Sequence, residues 1–200
     1  MHQYRCRSNR RLGKAGALSR SLAEWECSAM LLALILAAGV GAAAETDVLA
    51  QIRAGKALCA NPDQPTRTCT SMDVFAPSAD DVFIDTGEVL ISPGQSLTLE
   101  ISSKVRIQNG AICGIMEMAD LRNGTVRVNG ALLPPARNAQ AIEKIALQLK
   151  PLAGRRVCEA LRIEEGRLFK YGQVEGIDRN PPGKPVKWVG LEEGYKVAPR

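Results

Sequence analysis

The sequence predicts an α+β domain: a mostly antiparallel sheet meander with one main helix packed on it and two disulfides. Three observations carry that expectation. Asparagine–glycine pairs recur at Asn109-Gly110, Asn123-Gly124 and Asn129-Gly130, and such pairs tolerate the positive φ angles of tight hairpins. Between these turns apolar residues alternate with period two, as a half-buried strand requires. One segment instead places Ile142, Ile145, Ala146 and Leu149 at helical spacing, on one face of a helix.

In chain order, residues 45–53 form a short helix, capped by Thr46, with Leu49 and Ile52 inward and Gly55 stopping it. Segments 82–84 and 89–91 read as two strands joined by a hairpin through Asp85 and Gly87, both ordinary turn residues. After Pro93-Gly94, Leu97, Leu99 and Ile101 share one strand face, opposite Thr98 and Glu100, and Val105 and Ile107 continue that strand or begin the next. Ser103-Lys104 reads as a solvated edge. Further strands are expected at 111–118, 125–128, 157–163 and 167–174, with a last short one at 185–189. The main helix spans about 138–150. Asn138 caps it by accepting from the first-turn N–H groups, and Pro151 ends it. Trp188 fills the space between sheet and helix, and the tail from Gly194 to Pro199 closes the domain as an edge strand.

The first 44 residues differ from the rest. Six of the 26 basic and two of the 21 acidic residues precede Glu45, leaving 20 and 19, a net of +1 for residues 45–200. Arg5, Arg7, Arg10, Arg11, Lys14 and Arg20 come ahead of 16 unbroken small or apolar residues from Ala29 to Ala44. Ala42 and Ala44 suit cleavage before Glu45. This is the build of a secretory signal peptide, and the run is shorter than the ~20 residues of a spanning helix. An uncleaved leader is the alternative, and the only route by which the chain would meet a membrane; Met30 is an alternative start. Export to the periplasm or beyond is expected, with residues 45–200 as one domain. The near-neutral mature chain gives no support to nucleic-acid binding.

Four cysteines follow the leader, Cys59, Cys69, Cys113 and Cys158. An even number in an exported chain reads as disulfides. Three connectivities are open; Cys59–Cys69 with Cys113–Cys158 is preferred, because the intervening loop carries Pro62 and Pro65 and needs a tie. Zinc would need close cysteine pairs or histidines, so no metal is expected.

The only histidine, His2, lies in the leader. Histidine-based triads, Cys–His pairs and H-E-x-x-H zinc sites are thereby ruled out of residues 45–200. No cofactor motif is present. The one catalytic-looking string is Phe83-Ile84-Asp85-Thr86-Gly87, which resembles the active-site turn of aspartic peptidases. That resemblance implies Asp85 as one of two carboxylates sharing a proton, the second supplied by another copy of the chain. Glu88 departs from the small residue usual after that glycine.

Cys59 with Arg67-Thr68-Cys69, Cys113-Gly114, Gly154-x-x-Val157-Cys158, Val186-x-Trp188-Val189 and Gly194-Tyr195-x-Val197-x-Pro199 together resemble a set of small exported bacterial proteins known only as uncharacterised. The resemblance covers most of residues 56–199. It implies cysteines that serve a scaffold, and it brings no activity. The expected function is accordingly a non-enzymatic binding or accessory domain, with an unidentified protein or envelope component as partner. An acid hydrolase using Asp85 and a protease-inhibitor loop at 59–69 are the alternatives.

Overall fold

The computed structural model describes residues 46–79, 81–178 and 181–198. The leader with its cleavage point after Ala44, the start at Met30 and the end of the tail at Pro199 lie outside the described residues. Twelve strands are described: β1 (Ala57–Ala60), β2 (Thr68–Cys69), β3 (Ser71–Ala79), β4 (Val82–Ser92), β5 (Leu97–Gln108), β6 (Ala111–Ile115), β7 (Thr125–Val128), β8 (Ala131–Leu132), β9 (Arg156–Glu164), β10 (Arg167–Val174), β11 (Lys184–Val189) and β12 (Lys196–Val197). Three helices join them: α1 (Val48–Arg53), α2 (Met118–Arg122) and α3 (Pro135–Leu149).

Eight strands run β4-β3-β1-β11-β10-β9-β6-β5, and β5 pairs again with β4, so the sheet closes on itself. Every pairing around the ring is antiparallel. The expected open meander covered by a helix is therefore corrected: the protein is mostly β, a closed eight-stranded barrel with one main helix. The physical reason lies in what the alternation serves. An apolar sheet face needs a cover, and here the far side of the same sheet supplies it, not the helix. The barrel also uses two strands, β1 and β3, for which no strand was expected, and it is closed by long-range pairs such as Leu58 with Trp188 and Cys113 with Cys158.

The hairpin expected through Asp85 does not exist. Residues 82–92 are one continuous strand, with Asp85 opposite Phe75 on one side and Ser103 on the other. Turn-forming residue types are tolerated there because the strand is paired on both edges. Ser103 and Lys104 pair with β4 on one side only, between the stretch of β5 that meets β7 and the stretch that meets β6, so this part of the strand is an edge as expected, with Lys104 exposed. The strand expected at 111–118 ends at Ile115, and Met118 opens α2 instead. The helix expected at 45–53 is present, but Asp47 rather than Thr46 caps α1, accepting from the N–H of Ala50 at 3.0 Å. The main helix starts three residues before Asn138. Instead of capping it, the Asn138 side chain accepts from the Val126 N–H at 2.7 Å and donates to the Gly124 carbonyl at 3.1 Å, tying α3 to β7.

Apolar residues gather in three clusters, of which the first fills the barrel interior and the second lies where α2 and α3 pack against β5 and β7. In the first Leu58, Ala60, Phe75, Phe83, Ile112, Leu161, Leu168, Val186 and Trp188 pack together, and Val48 and Ile52 of α1 join them. Trp188 is buried as expected, 7% exposed and tilted against Phe75, but in the barrel core rather than between the sheet and the main helix. Ile142 and Ala146 of α3, Leu121 of α2, Leu99 and Val126 form the second cluster. A third, outside the barrel, gathers Ala57, Cys59, Cys69 and Val189, with Tyr195 against it. Here β12 pairs in parallel with β2 in a separate two-stranded sheet, so the tail ends there and not on the main sheet. Both expected disulfides are present, Cys59–Cys69 and Cys113–Cys158. The second joins directly opposed residues of β6 and β9.

The outer wall carries charge where a lipid-facing barrel would carry an apolar band. Glu88, Glu100, Lys104, Arg106 and Arg162 alternate with inward residues along β4, β5 and β9, and the apolar residues face in, the reverse of a membrane-spanning barrel. No described helix is long and apolar enough to cross a membrane.

Candidate functional site

Alternation along four strands brings a set of charged side chains into the barrel. On β3, Ser71, Asp73 and Phe75 point one way. On β4, Phe83, Asp85, Gly87 and Val89 do, and on β9 Val157, Glu159 and Leu161. On β10 the inward set is Leu168, Lys170 and Gly172. In each case the first or last of these belongs to the apolar core, so the charged residues form a layer directly above it. Above that layer lies a cavity of about 410 Å³.

Lys170 organises the layer. Its ammonium reaches Asp73 Oδ2 at 2.9 Å, across the lumen from β10 to β3, and Glu159 Oε2 at 2.9 Å on the neighbouring strand. The residue is 8% exposed. Burial works against its charge, but the two carboxylates outweigh burial and hold the ammonium protonated, with its pKa above the ordinary lysine value.

Asp85 is left over. Its Oδ1 is buried and has no hydrogen-bond partner among the described residues. Burial pushes the carboxyl up to about 8; the charges of Asp73 and Glu159 add to the shift and Lys170 opposes it. At neutral pH Asp85 is thus mostly a neutral acid beside an ion cluster, the state expected of a carboxyl surrounded by like charge.

Three glycines make the room. Gly87, Gly114 and Gly172 all line the cavity. A Cβ at Gly87 would stand 3.0 Å from Asp73 Oδ1, and one at Gly114 would stand 3.1 Å from the Lys104 carbonyl. At Gly172 a Cβ would meet only Pro181 Cγ, at 3.9 Å. The cavity is lined by Ile101 and Val157 above the charged layer, and by Val105 and Ile112 of the core cluster at its base. The mouth is framed by Met116 and Leu121 on one side and Pro181 and Pro182 on the other.

No family model, curated protein or solved structure matches the chain. What the cavity can do is read from its own atoms.

Of the site residues singled out in the sequence, Asp85 does lie in the cavity wall. Its neighbouring carboxyls come from Asp73 and Glu159 of the same chain, not from a second copy. The four cysteines stand elsewhere, Cys59 and Cys69 in the outer cluster and Cys113 and Cys158 on alternate positions to the inward Ile112 and Glu159. The 59–69 loop exposes Gln64 to Arg67. It is braced by the Asp63–Thr68 bridge, by Asp63 accepting from the Thr66 N–H at 3.2 Å, and by Arg67 donating to the Glu193 carbonyl at 3.1 Å.

Sequence reasoning missed Asp73, Glu159 and Lys170. For Glu159 a signal was present: it shares the period-two face of Val157, Leu161 and Ile163, and an acid on an apolar face needs a partner. For Lys170 the pattern misleads. Phe169 and Tyr171 look like the buried face of β10, yet they face outward, with Arg167 and Arg162 over their rings at 5.6 and 5.2 Å.

Proposed function

We propose that the chain is an exported binding protein that holds one small, partly apolar molecule in the lumen of its barrel. The observation that carries this reading is the cavity. An eight-stranded barrel is just wide enough to be filled by side chains or to hold one small ligand. Here one half is filled, and the other is kept open by glycines at inward positions. About 410 Å³ falls within the range of small-molecule sites, which combine apolar walls with a few placed polar groups. Export is supported by the leader composition and by two disulfides, which persist in oxidising compartments.

The rival reading, an acid hydrolase, draws on Asp85, since a raised carboxyl beside an ionised one is a general acid's environment. Binding is preferred because Asp73 and Glu159 are both committed to Lys170.

The test uses N-phenyl-1-naphthylamine, an uncharged probe whose fluorescence rises in apolar surroundings. The disulfide-intact protein is expected to bind one equivalent. Gly172→Leu, which the backbone accepts because a Cβ there meets only an ordinary contact, is expected to weaken binding at least tenfold with an unchanged circular dichroism spectrum. Equal affinity in both proteins would place the probe outside the lumen and end the proposal.

A further inference from the structure

Three carboxyl groups, Asp73, Asp85 and Glu159, but one ammonium group, Lys170, point into the lumen from the barrel strands, and Glu117 and Asp120 border the cavity beside α2, with Lys184 as the other cation. Lys170 is already satisfied by two carboxylates at 2.9 Å each. The acidic excess therefore has no internal counterpart at the floor, and one group there, Asp85, turns a buried oxygen without a partner into the lumen. A buried acceptor in that state is destabilising until a donor reaches it. A donor that also carries charge recovers more, because charge-assisted hydrogen bonds are roughly twice as strong as neutral ones.

Building on the binding reading above, we propose that the lumen takes a small organic cation. Its protonated amine lies at the floor against Asp85, and its apolar body lies above it, between Ile101 and Val157. A bare metal ion fits less well, since the Lys170 ammonium occupies the point where Asp73 and Glu159 converge. Among the described residues no cluster of metal-ligating side chains forms. An anion would meet the carboxyl excess directly and is disfavoured.

The arrangement has a consequence in protons. Asp85 is faced by Asp73 on β3, Glu159 on β9 and Lys170 on β10, with Ser103 beside it on β5. In the empty lumen at neutral pH its carboxyl keeps its proton. An arriving ammonium replaces that proton, so one proton leaves for each ligand bound, and the affinity rises with pH until Asp85 is ionised without help.

The experiment compares 2-phenylethylammonium, 2-phenylethanol and 3-phenylpropionate by titration calorimetry on the disulfide-intact protein, alongside the uncharged naphthylamine probe. The ammonium is expected to bind at least tenfold more tightly than the alcohol at pH 8, the carboxylate not measurably. The ammonium's affinity is expected to fall about tenfold per pH unit below that point. Asp85→Asn is expected to erase the preference for the ammonium over the alcohol while leaving the naphthylamine bound. If the naphthylamine binds and the ammonium gains nothing over the alcohol, the cation assignment is wrong and the binding reading stands. If neither binds, both fall.

Discussion

Replacing Lys170 with methionine is expected to cost about 3–5 kcal/mol of folding stability, the range for removing one partner of a buried ion pair. The loss does not come from the pair's own attraction, which desolvation largely offsets. It comes from what is left behind: Asp73 and Glu159 would face each other across the lumen with no cation between them, and Asp85 is already there. Methionine keeps the length and the apolar stem of lysine, so little packing is lost with the charge. Guanidinium denaturation at pH 7 reads the effect as a lower midpoint at unchanged slope. Adding Asp73→Asn and Glu159→Gln to the Lys170→Met variant is expected to restore most of the stability, since the uncompensated charges are then gone. A change below 1 kcal/mol in the single variant would mean that the cluster is open to water, and with it the floor of the proposed site.

The second large effect concerns the disulfides. Cys113 and Cys158 are separated by 45 residues and Cys59 and Cys69 by 10. On the chain-entropy model, closing those loops stabilises the fold by about 4 and about 3 kcal/mol respectively. The paired Cys113→Ser and Cys158→Ser substitutions are therefore expected to do more harm than the paired Cys59→Ser and Cys69→Ser ones. Position adds to this order. Cys113–Cys158 fastens the neighbouring strands β6 and β9 of the ring wall to each other, whereas Cys59–Cys69 holds the small outer cluster to β1. Equal midpoints of the two variants in denaturant would contradict both the entropic ranking and the role given to β6–β9 closure.

Several of the strands were legible in the sequence. The strands at 125–128 and 167–174 stand where the alternation puts them, and the disulfide pairing follows from the proline-bearing loop. Closure was not legible, for a definite reason. Alternation shows that one face is buried and says nothing about what buries it, and the pairs that close the ring join residues more than a hundred positions apart, such as Ala57 with Val189. The Asp-Thr-Gly string misled in the same way. Asp85 and Gly87 are turn formers by type, yet both are inward positions of a long strand, where Gly87 makes space for the Asp73 carboxyl. The site was hidden because its members come from strands far apart in the chain, and because the aromatic pair Phe169 and Tyr171 pointed to the wrong face of β10.

The Asp85 carboxyl ties the account together, since both the closed lumen and its cation preference act through it. Held at about 8 when folded, against 3.8 for the ordinary residue, it binds its proton more tightly in the folded chain than in the unfolded one. Its contribution to stability is therefore present at low pH and is lost as pH rises from about 4 through 8, at up to about 1.4 kcal/mol per pH unit. The most direct test follows the side-chain carboxyl carbon of Asp85 by NMR through a pH titration, with and without saturating 2-phenylethylammonium. The predicted result is a midpoint near 8 in the empty protein, moving down by at least one unit when the amine is bound. A midpoint in the usual carboxylate range, unmoved by the amine, would contradict the account.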